Sequence, residues 1–237
     1  METPKIIHQI WSSKRMPLPE VFKELSETWK EKHPDWQYIL WDDAMMDGFM
    51  RKHYPQYIDT YNSFLYDIQR WDTIRYLILY EMGGMYVDFD MECLENVEPL
   101  LQKGCCFGTD TDENIIYASH VKGGYLNNTF ITSTPKHPFI GKIVEHVFDE
   151  NRILPSADTH KLLYVLQTSG ALMLSDTYDA YEEKDDVYII PACNIAPFSV
   201  MEASAIRRGD ICPEWEERLQ QAYAVHYFMG TWGYNSK

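Results

Sequence analysis

Two aspartates separated by one residue, Asp88 and Asp90, are the first candidates for chemistry in this sequence. They follow two glycines and a short apolar segment, residues 85–87, whose length and composition predict a buried strand. In open α/β sheets, ligands bind beyond the carboxyl ends of the strands, and side chains two residues apart on a strand point the same way. Because Mg²⁺ and Mn²⁺ prefer oxygen ligands, the pair predicts a divalent-cation site that could bridge this acidic protein to a diphosphate.

The same spacing also arises by chance, since the chain carries 36 acidic residues. Asp110 and Asp112 form a second copy, in a hydrophilic run that continues through Glu113 and Asn114. We interpret this second copy as a solvated loop. The first copy follows a double glycine and an apolar strand, but its spacing alone does not decide between a site and chance.

A charged pair, Asp72 and Arg75, precedes the strand on a segment with helical periodicity. Residues three apart share a helix face, and an exposed pair of this kind stabilises a protein by less than about 1 kcal/mol. The apolar and aromatic neighbours Trp71, Ile74 and Tyr76 instead predict a partly buried position. There the guanidinium could reach a diphosphate or a sugar hydroxyl, and the carboxylate could accept a hydrogen bond from a sugar.

Two ring side chains near opposite ends of the chain, Trp11 and His226, are further candidates. Trp11 closes the first predicted strand, where it is either a core residue or a flat face on which a base stacks. His226 stands beside an apolar segment. It is either a hydrogen-bonded structural residue or, if the segment folds over the strand of Asp88, a third metal ligand. In the second case Thr231 and Trp232 could donate hydrogen bonds to phosphate oxygens.

The elements that must position these side chains alternate between strand and helix. Apolar segments at 5–11 and 36–41 predict strands, a helical pattern lies between them, and a second helix begins near residue 43. The core-facing stripe of the first helix consists of Val21, Phe22, Leu25 and Trp29. This alternation predicts an α/β fold with a largely parallel sheet.

A long helix at 65–82 follows, and the double glycine ends it where the strand before Asp88 begins. Beyond residue 100 the pattern predicts a mixture of strands and helices. The strands are at 105–108, 115–121, 130–132, 187–191 and 222–227, and the helices are at 138–148 and 158–166. No repeat, linker or break in composition divides the sequence, so we expect a single domain over residues 1–237.

Composition excludes several classes of protein. The 237 residues are 45% apolar and 24% charged, values typical of a folded chain rather than a disordered one. A net charge of −15 argues against nucleic-acid binding, and no apolar run approaches the roughly 20 residues of a membrane span. Residues 1–10 have no basic segment followed by an apolar stretch, so we expect no signal peptide, and five cysteines without a C-x-x-C motif fit a reducing compartment. We therefore expect a cytoplasmic protein.

Five segments spread along the chain together resemble glycosyltransferase family 32, which includes α-1,6-mannosyltransferases and capsular-polysaccharide sugar transferases. The central block at 72–90 is the most specific, because a helix, a double glycine, a strand and Asp-x-Asp follow in fixed order. The segments are P-K-I-I-H-Q-I-W at 4–11, W-x-x-x-x-P-x-W-x-Y-x-L-W at 29–41, the block at 72–90, residues 128–139, and His226 with Trp232.

The resemblance implies a GT-A fold, with a Rossmann-like half for the nucleotide sugar and a mixed sheet on the acceptor side. It implies a retaining glycosyltransferase that depends on Mn²⁺ or Mg²⁺. Such an enzyme would move a hexose or N-acetylhexosamine from a UDP- or GDP-linked donor to a saccharide acceptor, in the synthesis of capsular or surface polysaccharide. The alternative is a non-catalytic or toxin-like nucleotide-sugar-binding protein of the same fold.

The resemblance also implies a role for each matching residue, with Asp72, Arg75, Asp88 and Asp90 as the catalytic set. Ser169-Gly170-Ala171 departs from the Thr-Gly-Pro that the family often has on the acceptor side. The implied roles are base binding by Ile10 and Trp11, donor-sugar binding by Asp72 and Arg75, contact with ribose, sugar or metal by Tyr86 and Asp88, metal binding by Asp88, Asp90 and His226, diphosphate binding by Thr231 and Trp232, and contact with sugar or acceptor by Asn128.

For such an enzyme we expect a saccharide or lipid-linked saccharide acceptor, no nucleic-acid partner, and peripheral association with the inner face of the plasma membrane. A retaining enzyme of this type needs no protein nucleophile, because an oxygen of the leaving phosphate can take the acceptor proton. A metal-dependent phosphohydrolase is a competing reading, but it would need more aspartate or histidine ligands at the same edge than the sequence reveals.

Overall fold

The computed structural model describes residues 2–14, 16–111 and 125–230. The predicted strand at 115–121 and the residues Asp112, Thr231 and Trp232 therefore lie outside the described residues. None of the described helices is long and apolar enough to cross a membrane. All five cysteines are free thiols.

Eight strands are described, and seven of them coincide with segments that the sequence predicts, the exception being the short fourth strand. They are β1 (Ile6–Ile10), β2 (Gln37–Trp41), β3 (Gly84–Val87), β4 (Met91–Cys93), β5 (Cys105–Gly108), β6 (Asn127–Ser133), β7 (Val187–Ile190) and β8 (Ala224–His226). Six of them form a mixed sheet in the order β2-β1-β3-β6-β5-β7, and β4 pairs with β8 in a separate ribbon.

The direction of the strands decides which loops meet. β1 pairs in parallel with β2 and β3, and β5 pairs in parallel with β7. β6 runs antiparallel to both of its neighbours, β3 and β5. The carboxyl ends of β1, β3 and β5 and the start of β6 therefore lie at one edge of the sheet, where a ligand site is expected.

The described helices include the strand-connecting helices that the sequence predicts. The helix predicted at 158–166 begins three residues later than predicted, at Lys161. They are α1 (Glu20–Lys32), α2 (Asp43–His53), α3 (Ile58–Ser63), α4 (Asp67–Met82), α5 (Pro138–Phe148), α6 (Lys161–Thr168), α7 (Ala171–Ala180), α8 (Ala192–Ile195), α9 (Val200–Arg207) and α10 (Pro213–Gln221). The side chain of Asp42 accepts a hydrogen bond from the amide of Met45, which caps α2 as expected.

The buried stripe of α1 differs from the one that the sequence predicts. Phe22, Ser26 and Trp29 are buried, at intervals of four and three residues, whereas Val21 is 42% exposed and Leu25 is only partly buried. The prediction for Val21 was wrong because apolar type alone does not show which face of the helix is buried, and the small Ser26 is buried instead. Trp29 also donates from its indole Nε1 to the carbonyl of Met91 at 2.9 Å, which fixes β4 against α1.

The sheet has a hydrophobic core on each face, and alternate residues of β3 contribute to both. Tyr86 packs with residues of α4 and α5 on one face, while Met85 and Val87 pack with Trp29 on the other. Since both faces are covered, β3 is completely buried and its end is held rigidly in place.

We predict that Gly84→Ala lowers the free energy of unfolding by about 2 kcal/mol or more. Gly84 has φ +97°, and an added Cβ would lie 2.6 Å from the carbonyl oxygen of Ile6 and 3.0 Å from Nε2 of His8. Gly48 lies inside α2 with no heavy atom within 4 Å of an added Cβ. Gly48→Ala is therefore the control, and it should stabilise the protein by about 0.5 to 1 kcal/mol in urea denaturation. Equal stability of the two variants would contradict this account.

Candidate active site

The end of β3 leads into a turn that carries Asp88, Phe89 and Asp90. The amide of Asp88 donates to the carbonyl of Thr129 on β6 at 2.9 Å, and the amide of Met91 donates to the carbonyl of Asp88 at 3.3 Å. We expected the two aspartates to share one side of an extended strand, and this expectation was wrong. The chain turns instead, and the turn brings both aspartates to the wall of one cavity.

A buried guanidinium, that of Arg75 on α4, links the helix to the turn. Its Nη1 donates to Oδ1 of Asp88 at 3.1 Å and to the carbonyl of Asn128 at 2.8 Å, and its Nη2 lies 3.0 Å from Oδ1 of Asp72. The guanidinium also lies over the ring of Tyr86, 4.4 Å from the centroid. Burial acts to lower the pKa of Arg75, but Tyr86, Asp88 and Asp72 outweigh it and raise the pKa, so the side chain stays charged.

The carboxylate of Asp72 is held by three donors. Besides Arg75, Asn128 donates to Oδ1 at 2.9 Å and the hydroxyl of Ser169 donates to Oδ2 at 2.8 Å. The hydroxyl of Tyr76 in turn donates to the carbonyl of Ser169 at 2.7 Å. Burial raises the pKa of Asp72 to about 6, although Arg75, Ser169 and Asn128 act against it. The pair Asp72 and Arg75 is therefore a buried ion pair and not the exposed one that its spacing allows.

Asp88 keeps one oxygen available. The hydroxyl of Tyr86 donates to Oδ1 at 2.5 Å, and Arg75 donates to the same atom. In the part of the chain that is described, no hydrogen bond reaches Oδ2 of Asp88. Burial raises the pKa of Asp88, and the neighbouring charge of Asp90 adds to this effect while Arg75 opposes it.

The β4–β8 ribbon places His226 beside Asp90. Met91 pairs with His226 across the ribbon, and Nε2 of His226 lies 3.4 Å from Oδ1 of Asp90. The amide of Met229 donates to Oδ2 of Asp90 at 2.8 Å. Burial opposes both charges, but the attraction between the two groups is stronger, so it lowers the pKa of Asp90 and raises that of His226. Nδ1 of His226 is buried and has no hydrogen-bond partner among the described residues.

A divalent cation fits the chemistry of this corner, but the protein supplies only part of its shell. Asp88 and Asp90 offer carboxylate oxygens, His226 offers an imidazole, and this donor set suits Mn²⁺ or Mg²⁺. The unpartnered Nδ1 of His226 and the available oxygen of Asp88 agree with a missing positive group. Yet within 2–14, 16–111 and 125–230, no three acidic, histidine or cysteine side chains form a ready cluster that could hold a metal ion. A bound substrate would have to supply the remaining ligands.

The apolar end of the cavity is formed after β1. The indole Nε1 of Trp11 donates to the carbonyl of Met16 at 3.1 Å, and its ring meets Phe22 and Phe89 edge-on at centroid distances of 5.6 and 5.7 Å. Ile10 lines the same cavity. Because Trp11 is only partly buried, it presents a fixed aromatic surface to the cavity, which suits the stacking of a planar base.

Nine residues that the sequence singles out line one cavity of about 320 Å³. They are Ile10, Trp11, Asp72, Arg75, Tyr86, Asp88, Asp90, Asn128 and His226. Thr231 and Trp232 lie outside the described residues, and the binding roles of the whole set stay predictions. The volume matches the lower range of cavities that bind small molecules.

Two functional candidates were missed or misjudged in the sequence. The interpretation of Asp110 as part of a solvated loop was wrong, since Asp110 is 8% exposed and lines the same cavity. The sequence did contain an indication of this position, because the apolar segment at 105–108 comes shortly before Asp110. An apolar strand precedes Asp88 in the same way. In the sequence, Ser169 stands out only as a departure from the family pattern, yet its hydroxyl donates a hydrogen bond to Asp72.

Comparison with known sequences identifies the family. A family model described as the glycosyltransferase sugar-binding region containing the DXD motif matches residues 19–107. Inositol phosphoceramide mannosyltransferase 1 of Schizosaccharomyces pombe is 32% identical over 195 residues, which cover 80% of this chain and 56% of that protein. An uncharacterized glycosyltransferase of Acanthamoeba polyphaga mimivirus is 30% identical over 198 residues, covering 82% of this chain and 73% of the viral protein. The chain thus spans about half the length of the fungal relative.

Comparison with solved structures confirms the predicted fold. The PaToxG glycosyltransferase superposes with a TM-score of 0.55 at 16% identity, over 94% of this chain and 89% of that one. At this identity the likeness concerns the fold alone. The α/β architecture with a mixed six-stranded sheet is the GT-A fold.

We predict that Ser169→Ala lowers the free energy of unfolding by about 1 to 3 kcal/mol at pH 8, because the buried carboxylate of Asp72 loses a donor. The bond from Ser169 lowers the pKa of Asp72 to its value of about 6, so the pKa in Ser169→Ala lies higher. The contribution of the bond is complete above the pKa of the variant and is lost as the pH falls below about 6. Urea denaturation at pH 5 should therefore show a smaller loss.

Ser169→Thr is the control for the hydroxyl, because threonine retains it, and any cost of the extra methyl group at this buried position should be the same at pH 5 and pH 8. If Ser169→Ala costs the same stability at pH 5 and pH 8, the hydroxyl does not stabilise the ionised form of Asp72.

Proposed function

This chain belongs to glycosyltransferase family 32, and on that premise we propose that it is a metal-dependent, retaining glycosyltransferase with a nucleotide sugar as donor. One observation carries the proposal. Asp88, Asp90 and His226 meet the buried cation Arg75 at a cavity whose other end is aromatic. A nucleotide sugar has three parts, and each matches one feature of the cavity. The aromatic wall suits the base, the incomplete metal ligands suit the diphosphate with its cation, and the fixed guanidinium suits the polyhydroxylated ring.

The order of the strands supports one orientation of the donor. Trp11 follows β1, the turn of Asp88 and Asp90 follows β3, and Asn128 lies on β6, so these groups succeed one another along the sheet edge. We propose that the base stacks at Trp11, that the diphosphate lies at the turn, and that the sugar reaches Arg75 and Asn128. Asp72 holds these last two side chains in place.

The proposed sugar is mannose, linked to GDP or UDP, and the proposed acceptor is a hydroxyl of a lipid-linked head group. The support is the fungal relative, which is named an inositol phosphoceramide mannosyltransferase. Transfer to a capsular or surface polysaccharide and a cytoplasmic location at the inner face of the membrane stay predictions from the sequence. We also propose that the described elements belong to one catalytic domain.

The residues that would hold the cation are Asp88 and Asp90, together with His226. When bound, a divalent cation supplies Lewis-acid stabilisation of the negative charge that develops on the leaving diphosphate. Arg75 adds fixed N–H donors next to the same charge, and its partners prevent it from reorganising during the reaction. In the transfer the bond between the anomeric carbon and the diphosphate oxygen breaks and a bond to the acceptor oxygen forms. The acceptor proton passes to the released diphosphate.

We propose retention of configuration because the family resemblance implies it, and the carboxylates near the sugar position bear only on the route. A double displacement would need a carboxylate free to act as nucleophile, whereas Asp72 accepts hydrogen bonds at both oxygens, and Asp88 has one oxygen bonded to Arg75 and Tyr86 and the other in the proposed cation site. We therefore propose that the acceptor attacks from the face that the diphosphate leaves. A non-catalytic binding protein is the second reading, but it would have no need for Asp90, Arg75 and His226 together.

We predict that a nucleotide sugar raises the melting temperature of the wild type only when Mn²⁺ is present. A donor at about 100 times its Kd stabilises the native state by about 2.7 kcal/mol. The panel begins with GDP-mannose and continues with UDP-glucose and UDP-N-acetylglucosamine. Asp90→Asn keeps the shape of the side chain but removes a ligand charge, and it should abolish the shift.

Asp59→Asn, at an exposed position on α3, is the control and should retain the shift. A normal shift in Asp90→Asn would refute the metal assignment. A wild type that responds to no donor in the panel would refute the proposed function.

A further inference from the structure

Asp110 lines the cavity but has no role in the chemistry described above. It follows β5 by two residues, and β5 and β3 run in the same direction on either side of β6. Asp88 and Asp110 therefore leave the sheet at the same edge, and both line the cavity. Neighbouring strands lie about 4.8 Å apart, so the ends of β3 and β5 are separated by two spacings, or about 10 Å.

A side chain from the strand between them holds Asp110 in place. Asn127, at the start of β6, donates from Nδ2 to Oδ1 of Asp110 at 2.7 Å. The other end of the same amide accepts a hydrogen bond from the amide of Thr129 at 2.9 Å, which fixes its orientation. Asn127 and Asp110 are only 6% and 8% exposed. One carboxylate oxygen is therefore anchored, while no described residue bonds to the other.

Asp110 also differs from the neighbouring carboxylates in its charge partners. Asp72 and Asp88 share Arg75, and Asp90 pairs with His226. Among residues 2–14, 16–111 and 125–230, no lysine, arginine or histidine forms an ion pair with Asp110. Burial raises its pKa, and the attraction of His226 offsets this only in part. A buried carboxylate with a free oxygen is costly unless a hydrogen-bond donor satisfies it, and the cavity is where such a donor can enter.

The position along the sheet edge indicates which donor this is. In the proposed function the base lies at β1, the diphosphate at β3 and the transferred sugar at β6, so β5 is the next position beyond the sugar. A distance of about 10 Å from the end of β3 is enough for one sugar ring and the group that attacks it. In the proposed function the hydroxyls of the donor sugar have Arg75 and Asn128 as partners, whereas the described ionisable groups at the next position along the edge are Asp110 and the nearby Tyr125.

We infer that Asp110 binds the acceptor: its free carboxylate oxygen accepts a hydrogen bond from a hydroxyl of the acceptor molecule, and Asn127 holds the carboxylate for this contact. The inference rests on the proposed function, because it assumes that a nucleotide sugar occupies the other strands of the edge. It assigns to this chain a polyol recognition residue, two positions beyond β5, in addition to the metal and donor ligands.

The test separates binding of the donor from use of the acceptor. The Kd of GDP-mannose with Mn²⁺ is measured by calorimetry, and transfer to myo-inositol is measured at saturating donor. Asp110→Asn preserves size and the neighbouring amide but removes the negative charge. We expect a donor Kd within about twofold of the wild type and a loss of about 10- to 100-fold in kcat/KM for myo-inositol, as for a lost hydrogen bond to a charged group.

Two further variants complete the design. Asp110→Glu keeps the charge and moves it by one methylene, so it remains informative if Asp110→Asn does not fold, and it should likewise weaken acceptor use without weakening donor binding. Asp158→Asn changes an exposed carboxylate outside the cavity and should match the wild type in both measurements.

Each result has a distinct meaning. If donor Kd and acceptor kcat/KM worsen together in both Asp110 variants, Asp110 belongs to the metal or donor site and the inference is wrong. If neither value changes, Asp110 is not a binding residue and the inference is also wrong. If the wild type and Asp158→Asn neither bind donor nor transfer, the proposed function has failed first and the inference fails with it.

Discussion

The buried guanidinium of Arg75 is the interaction on which the site depends. It joins α4, the turn after β3 and the start of β6 through Asp72, Asp88 and the carbonyl of Asn128. Removing one partner of a buried ion pair costs about 3 to 5 kcal/mol, because the other charge is left without compensation. The same group therefore sets the spacing of the carboxylates and, in the proposed function, supplies the positive charge that a leaving diphosphate needs. Stability and chemistry are thus coupled in one side chain.

The mixed direction of the sheet gives the site its shape. Parallel strands alone would bring helices to this edge after each strand, but β6 returns antiparallel and delivers Asn127 and Asn128 between the ends of β3 and β5. The carbonyl of Asn128 accepts a hydrogen bond from Arg75, and the side chain of Asn127 donates one to Asp110. The β4–β8 ribbon then adds His226 from the far end of the chain. Asn127, Asn128 and His226 are distant in sequence from Asp88, and they meet it because each lies near the start or end of a strand.

Much of this arrangement could be predicted from local pattern, and the failures have physical causes. Periodicity located the strands and helices, and the order of helix, double glycine, strand and Asp-x-Asp located the centre of the site. The prediction failed for Val21, because burial depends on which face meets the sheet, and for Asp110, because a polar run can follow a strand into a cavity. The bond from Ser169 to Asp72 links residues 97 positions apart, and no local pattern reveals such a contact.

The central claim is that the protein offers an incomplete metal site that the diphosphate of the donor completes. Titration of Mn²⁺ followed by electron paramagnetic resonance tests it directly, with the free-ion signal measured in the absence and presence of GDP. Since no three described acidic, histidine or cysteine side chains form a ready cluster, the account predicts weak binding to the protein alone and at least tenfold tighter binding when GDP is present. Equal Mn²⁺ affinity with and without the nucleotide, beyond the binding of Mn²⁺ to GDP itself, would contradict the account.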